Sequence, residues 1–221
     1  ANIGLHLGRY IGEEDVIKLV NGDGVTWDDP RVVAAIEDYA DFQAKGYFSS
    51  SIATNAFPAG QNQEFAPGFA AMNLNGAWLP NETKNFLAAD FEWGFFNYPE
   101  VQNGQDPITT NYLAAQVFAI NVNCTMPEEA FQFIEYITTG AVDMQMVEAA
   151  LVIPTDKANT EWPTELAAVK KAYESTTDSY IWAAGVESNG DITPILKDNT
   201  IRLMSGAMTA DEFIVAMSAA Y

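Results

Sequence analysis

The apolar residues of this chain come in short runs, each soon broken by proline, glycine or a cluster of Asn and Asp, so the fold must be assembled from many short elements. No run reaches the roughly 18 residues that a membrane-spanning helix needs. The single cysteine, Cys124, and the single histidine, His6, leave no internal disulfide and no cysteine or His-rich metal site, and they argue against Ser-His-Asp chemistry. Cys124 reads as inert core filler, and His6 as a surface or capping residue. With no staple available, the 48% of hydrophobic residues must supply the core, and 221 residues suffice for one large domain or two small ones.

Thirty acids against ten bases give a net charge of -20. Such a field repels phosphate, which argues against nucleic acid as a partner and disfavours anionic substrates and membrane surfaces. It suits solubility in an exported or salt-tolerant protein. The chain opens ANIGLHLGRY, with no initiator Met, basic n-region or signal-like h-region, and reads as a processed chain or a fragment.

The stretch TWDDPRVVAAIEDYADFQAKGYF is the clearest helix. Asp28 or Asp29 caps it, Pro30 suits its first turn, and Gly46 stops it. Val33, Ile36, Ala40 and Phe42 or Gln43 keep near-helical spacing. Strands are expected around Met72 to Asn75, at Glu92 to Pro99 and in QVFAINV, the last of them buried. Thr125 with Glu128 and Thr209 with Glu212 have capping-box spacing, so helices are expected to start at both threonines. Helices are also expected after Gly140, after Pro163 and in ITPILKDNTIRLMSG. The sum is a helix-rich α/β chain with a few unevenly spaced strands.

Five stretches, in this order, resemble extracellular solute-binding proteins of ABC-type carbohydrate importers. FAPGFAAMNLNGAW is similar to a family signature, with Phe65, Gly68, Ala70, Ala71, Met72, Gly76 and Trp78 in its places. DDPRVVAAIEDYADFQAKGYF resembles a helix ending in Gly-Tyr, VFAINVNCTMPEEAFQFIEYITT a strand and helix returning through a hinge, and ALVIPTDKA a small-apolar-Pro turn. GAMTADEFIVAM resembles the closing helix, with Asp211 and Glu212 in its acidic places and Phe213 replacing an alanine. The resemblance implies the carboxy-terminal lobe of a two-lobed type II periplasmic-binding-protein fold, made of residues 1–107 and 156–221. Residues 108–155 would belong to the amino-terminal lobe, most of which is expected to precede Ala1 together with a signal peptide and lipid-attachment cysteine. TTNYLAAQ stands where the family often has glycines, which leaves open the roles of Asn111 and Tyr112.

The implied function is capture of a sugar or oligosaccharide and delivery to the transmembrane subunits of a permease. No cofactor, metal or catalytic group is implied, and the protein would be a monomer outside the cell, periplasmic or held at the surface by a lipid. Trp78 is the first candidate contact: a sugar's C–H face is weakly apolar and slightly positive, and an indole face is electron-rich. The alternative is that Trp78 plugs the core. Gly76 would leave space beside that ring. Trp182 in DSYIWAAG is either a second plate or a packing aromatic. Asn111 and Tyr112 either supply an amide and a phenol to hydroxyls or cap a strand. Tyr10 is a weaker candidate, as are Trp93, which reads as core, and Trp162, which reads as a helix staple. Glu64 and Glu82 flank the Trp78 segment and raise a glycoside hydrolase as the alternative, since that reaction needs two carboxyl groups roughly 5 to 9.5 Å apart. Asn21, Asp23 and Asp28 lack calcium-loop spacing and read as a turn.

Overall fold

The computed structural model describes residues 2–56, 58–88 and 90–221. In chain order its helices are α1 (Asn2–Ile11), α2 (Glu13–Asn21), α3 (Pro30–Ala44), α4 (Ala59–Phe65), α5 (Leu79–Thr83), α6 (Pro127–Ile137), α7 (Gly140–Ala150), α8 (Ala167–Glu174), α9 (Ile192–Met204) and α10 (Ala210–Ser218). Short 3-10 turns occupy Thr164–Leu166 and Trp182–Gly185. Two three-residue strands, β1 (Thr110–Tyr112) and β2 (Asp178–Tyr180), pair in parallel with Tyr112 opposite Tyr180. The chain is therefore helix-rich, as expected, with less sheet than its sequence suggests.

The chain divides into two compact units. One comprises Ala1–Gly60, Asn97–Ala114 and Thr176–Tyr221; the other comprises Gln61–Phe96 and Ala115–Ser175. These lines differ from the boundaries at 107 and 155 that the resemblance implies. The first unit gathers its three segments on α1, where Arg9 donates to the carbonyls of Tyr98 and Pro107 and to the Tyr180 hydroxyl.

The first unit holds the larger core, which includes Leu7, Leu19, Val32, Ile36, Leu196 and Phe213. Helix α3 forms for local reasons: the Asp29 side chain accepts from the Arg31 amide, Pro30 opens the first turn, and Gly46 follows the helix with a left-handed φ of 71°. Its buried stripe is Val32, Ala35, Ile36 and Tyr39. Val33, expected on that stripe, is only half-buried. Helix α10 carries the Thr209 and Glu212 capping box in full, and buries Phe213 and Met217.

His6 corrects the surface reading. It is 1% exposed. Its Nε2 donates to the Ala35 carbonyl at 3.0 Å, which leaves Nδ1 to accept from the Tyr98 hydroxyl at 2.8 Å. Burial lowers its pKa to about 4 against the weaker opposing pull of the Ala35 bond. Asp38 lies 3.6 Å from Nε2, but with the ring neutral at pH 7 this contact is no ion pair.

In the second unit the buried Asp143 carboxylate accepts from the amides of Thr155 and Asp156 and from Asn159 Nδ2, and so pins the turn after α7. Helix α6 buries no residue, and apolar side chains from Val117 to Tyr136 stand exposed, Val122 at 95%. Three expected strands are absent. Residues 72–75, 92–99 and 116–122 join no strand ladder among the described residues, and apolar composition does not make a strand without a ladder partner. Cys124, expected in the core, is half-buried. The capping box at Thr125 is also absent. Pro127, with its fixed φ, takes the first helical position of α6, which makes Met126 the cap residue.

Two outcomes follow. Thr209→Ala should cost about 1 kcal/mol in urea unfolding, and Thr125→Ala nothing measurable. His6 has a folded pKa below its unfolded value of 6.5, so the unfolded chain binds its proton more readily. The neutral ring's contribution is present above pH 6.5 and is lost as pH falls through about 4, on the order of 3 kcal/mol in all. Unfolding free energies measured between pH 7 and 4 should show this slope, reduced in His6→Gln.

Candidate functional site

Asn111, Tyr112 and Trp182 meet in the first unit. The first two lie on β1, and Trp182 follows β2 by two residues. Tyr180, opposite Tyr112, turns inward: its hydroxyl donates to Asp106 at 2.8 Å and lies 3.4 Å from Arg9 Nη1. Burial and the Asp106 carboxylate both raise its pKa well above the ordinary phenol value. The chain then leaves the sheet abruptly. The Ile181 amide is bound by the Glu13 carboxylate, and Ala183 and Ala184 adopt left-handed φ values of 53° and 49°. Each such residue without a glycine's freedom costs roughly 1–2 kcal/mol. Both alanines are buried, at 2% and 0%. The packing that holds them leaves the Trp182 side chain outside, 52% exposed.

That exposed ring is fixed on two sides. The Tyr112 ring meets it edge to face, with centroids 5.4 Å apart and planes at 74°. Its Nε1–H donates to Glu187 Oε2 at 3.0 Å, and Glu187 Oε1 pairs with Lys197 at 3.1 Å. Burial raises the Tyr112 pKa. Asn111 Nδ2 donates to Thr176 Oγ1 at 2.7 Å, which orients the amide. Together these residues form a half-exposed aromatic corner beside an oriented amide. That arrangement can stack an apolar ring face and address a hydroxyl, and it holds no nucleophile–base pair.

Trp78 and Gly76 lie in the second unit. Trp78 is 39% exposed at the start of α5 and is no core plug. Its ring occupies the space a side chain at Gly76 would take: a Cβ there would overlap Cζ3, Cη2 and Cε3 of the indole. Gly76 thus leaves its space to the Trp78 ring itself. Amides surround this segment. Asn62 Nδ2 donates to Glu82 Oε2 at 2.9 Å, and Gln61 Nε2 to Asn73 Oδ1 at 3.3 Å. Asn75 Oδ1 accepts from the Gly76 amide, which fixes the side chain and leaves its buried Nδ2 without an acceptor among the described residues.

Tyr10 is engaged elsewhere: its hydroxyl donates to Asp38 at 3.2 Å and its ring packs 5.1 Å from His6. Burial and Asp38 raise its pKa to about 12. Trp93 packs with Phe65 and Phe91, and Trp162 with Tyr173 of α8. A cavity of about 320 Å³ in the first unit is lined by Val25, Trp27, Asp28, Ser218 and Tyr221 among others, and by none of the expected saccharide contacts. Among the described residues no cluster of three or more His, Cys, Asp or Glu could hold a metal. Sequence reasoning missed Glu187, Lys197, Thr176 and Asn62. A spacing of five between Trp182 and Glu187 matches no helix face or strand alternation, so no local pattern marks the pair.

A sequence profile described as bacterial extracellular solute-binding protein matches residues 6–195. No curated protein matches the chain. Among solved structures, a chitin oligosaccharide binding protein aligns over 98% of this chain and 54% of its own, with a TM-score of 0.75 and 16% identity. A second, described under xylan utilization by the thermophilic bacterium Caldanaerobius polysaccharolyticus, aligns over 98% of this chain and 56% of its own, with a TM-score of 0.73 and 18% identity. The chain spans about half the length of these structures, and at such identities the likeness is one of fold.

Gly76→Ala should displace the Trp78 ring. Acrylamide quenching of Trp78, taken as the difference from Trp78→Phe, should rise in the alanine variant. Unchanged quenching would mean the ring does not rest on residue 76.

Proposed function

Because the chain belongs to the bacterial extracellular solute-binding proteins, we propose that it contributes the saccharide contacts of a carbohydrate-capturing importer component. The observation that carries this reading is the aromatic corner of Tyr112 and Trp182, half-exposed yet held, beside the oriented amide of Asn111. An exposed indole face suits the C–H face of a pyranose, and an amide suits its hydroxyls. A neutral ligand also agrees with a net charge of -20. Trp78 is a second candidate plate. The solved structures of like fold concern chitin oligosaccharides and xylan, which makes oligosaccharides of these two kinds the first ligands to try.

The reading extends to the whole protein. Two lobes would close on the sugar as a population shift driven by ligand contacts, and the closed form would be recognised by permease subunits. Residues 1–107 and 156–221 would serve one lobe and 108–155 the other. The unburied apolar face of α6 supports a separate allegiance for the part of that segment beyond β1, which itself pairs with β2 in the first unit. A lipid anchor and a monomeric state belong to the same reading. The role is binding, without turnover.

A thermal-melt series with chitin and xylan oligosaccharides tests it, on this chain and on the complete gene product. Ligand at 100 times its Kd should stabilise by about 2.7 kcal/mol. Trp182→Ala should weaken binding roughly tenfold or more while leaving the melt of the free protein nearly unchanged. Hydrolysis of an aryl glycoside, or no shift with any saccharide in the complete protein, would overturn the reading.

A further inference from the structure

The indole nitrogen of Trp182 has a dedicated partner. Glu187 uses one carboxylate oxygen for Nε1–H, at 3.0 Å, and the other for Lys197, at 3.1 Å. Both oxygens of the carboxylate are thus engaged within the protein. Lys197 sits on α9 beside Leu196, which is 1% exposed within the core of the first unit. A continuous line therefore runs from a half-exposed ring, through a carboxylate and an ammonium, to a helix fixed by core packing. The intervening Ala183 and Ala184, in left-handed backbone, bring Glu187 back to Trp182 across only five residues of chain.

From this geometry we infer that Glu187, clamped by Lys197, is a positioning residue that fixes the plane of Trp182 for saccharide stacking. The inference rests on the proposed saccharide role of Trp182. An exposed tryptophan free to turn about two side-chain torsions must be ordered by each ligand it binds. The contact with Tyr112, at 5.4 Å and 74°, does not by itself fix the ring's plane. The tether fixes the remaining rotation, so binding need not do so. The same bond keeps the indole's one polar atom occupied, so the exposed face offers a ligand only apolar surface. The Lys197 charge offsets that of Glu187, which suits a neutral ligand.

The test compares the wild type with Glu187→Ala, Glu187→Gln and Lys197→Ala, by calorimetry with a chitin tetrasaccharide and a xylan tetrasaccharide. Glu187→Ala should weaken whichever sugar binds by roughly five- to tenfold, with the melting temperature of the free protein within about 2 °C of wild type. Glu187→Gln keeps an acceptor for Nε1–H and should recover most of that loss, and Lys197→Ala should fall between. A second measurement needs no ligand. The indole N–H resonance of Trp182, assigned with Trp182→Phe, should be slow to exchange in the wild type and the glutamine variant and fast in the alanine variant. Unaltered affinity in Glu187→Ala, no rescue by glutamine, or identical indole exchange in all variants would overturn the inference. If the wild type binds neither sugar, the functional reading fails for them, and indole exchange alone decides whether the tether exists.

Discussion

A buried guanidinium organises the first unit. Arg9 is 0% exposed, and removing such a charge from water costs several kcal/mol unless its donors are met. They are met by Pro107 at 2.6 Å and by Tyr98 at 2.8 and 3.2 Å, both backbone carbonyls. The Tyr180 ring completes the cage, its centroid 5.7 Å from the guanidinium carbon, and its hydroxyl passes the interaction on to Asp106. Arg9 and these partners come from three chain segments that have no local reason to meet. Two paired strands of three residues are too short to hold themselves together. Satisfying one charge therefore fixes where β1 and β2 run, and with them the positions of Tyr112 and Trp182.

The strained turn after β2 depends on that framework. Left-handed alanines survive only where their surroundings leave no alternative. Ala183 and Ala184 are buried in a turn that packs against α1 and α2, the Ile181 amide is taken by Glu13, and Tyr180 is anchored by Arg9 and Asp106. The stability of the unit's core is thus partly given over to holding one tryptophan outward. A flat, partly hydrated ring is a poor contributor to folding, so burial alone does not account for its fixed placement.

The sequence was legible where structure is decided locally. Asp29, Pro30 and Gly46 bound α3, and Thr209 with Glu212 starts α10, because caps and backbone preferences act within a few residues. Thr125 and Glu128 carry the same motif, yet Pro127 between them moves the helix start by one residue. The missing strands failed for a non-local reason, since a ladder needs a partner that no window of sequence displays. His6 misled in the same way: its partners Ala35 and Tyr98 lie 29 and 92 residues away. At the candidate site, the aromatic and amide positions were readable as residue types. The tether at Glu187 was not, because its spacing arises from backbone no alanine ordinarily adopts.

The five tryptophans show what separates a binding plate from a packing residue. Trp27 is 2% exposed and meets Phe213 edge on in the core, where area removed from water accounts for it. Trp93 and Trp162 pack on aromatic neighbours. Trp78 rests on Gly76 with 39% of its surface open. Trp182 buries least, at 52% exposed, and is nonetheless held by a ring, a carboxylate and a strained turn. Burial rewards only the area it hides, so it does not account for order imposed on an exposed ring. Order without burial does lower the cost of a later contact, since the ligand finds the ring already placed. By that criterion Trp182, more than Trp78, has the order without burial that the proposed stacking role requires.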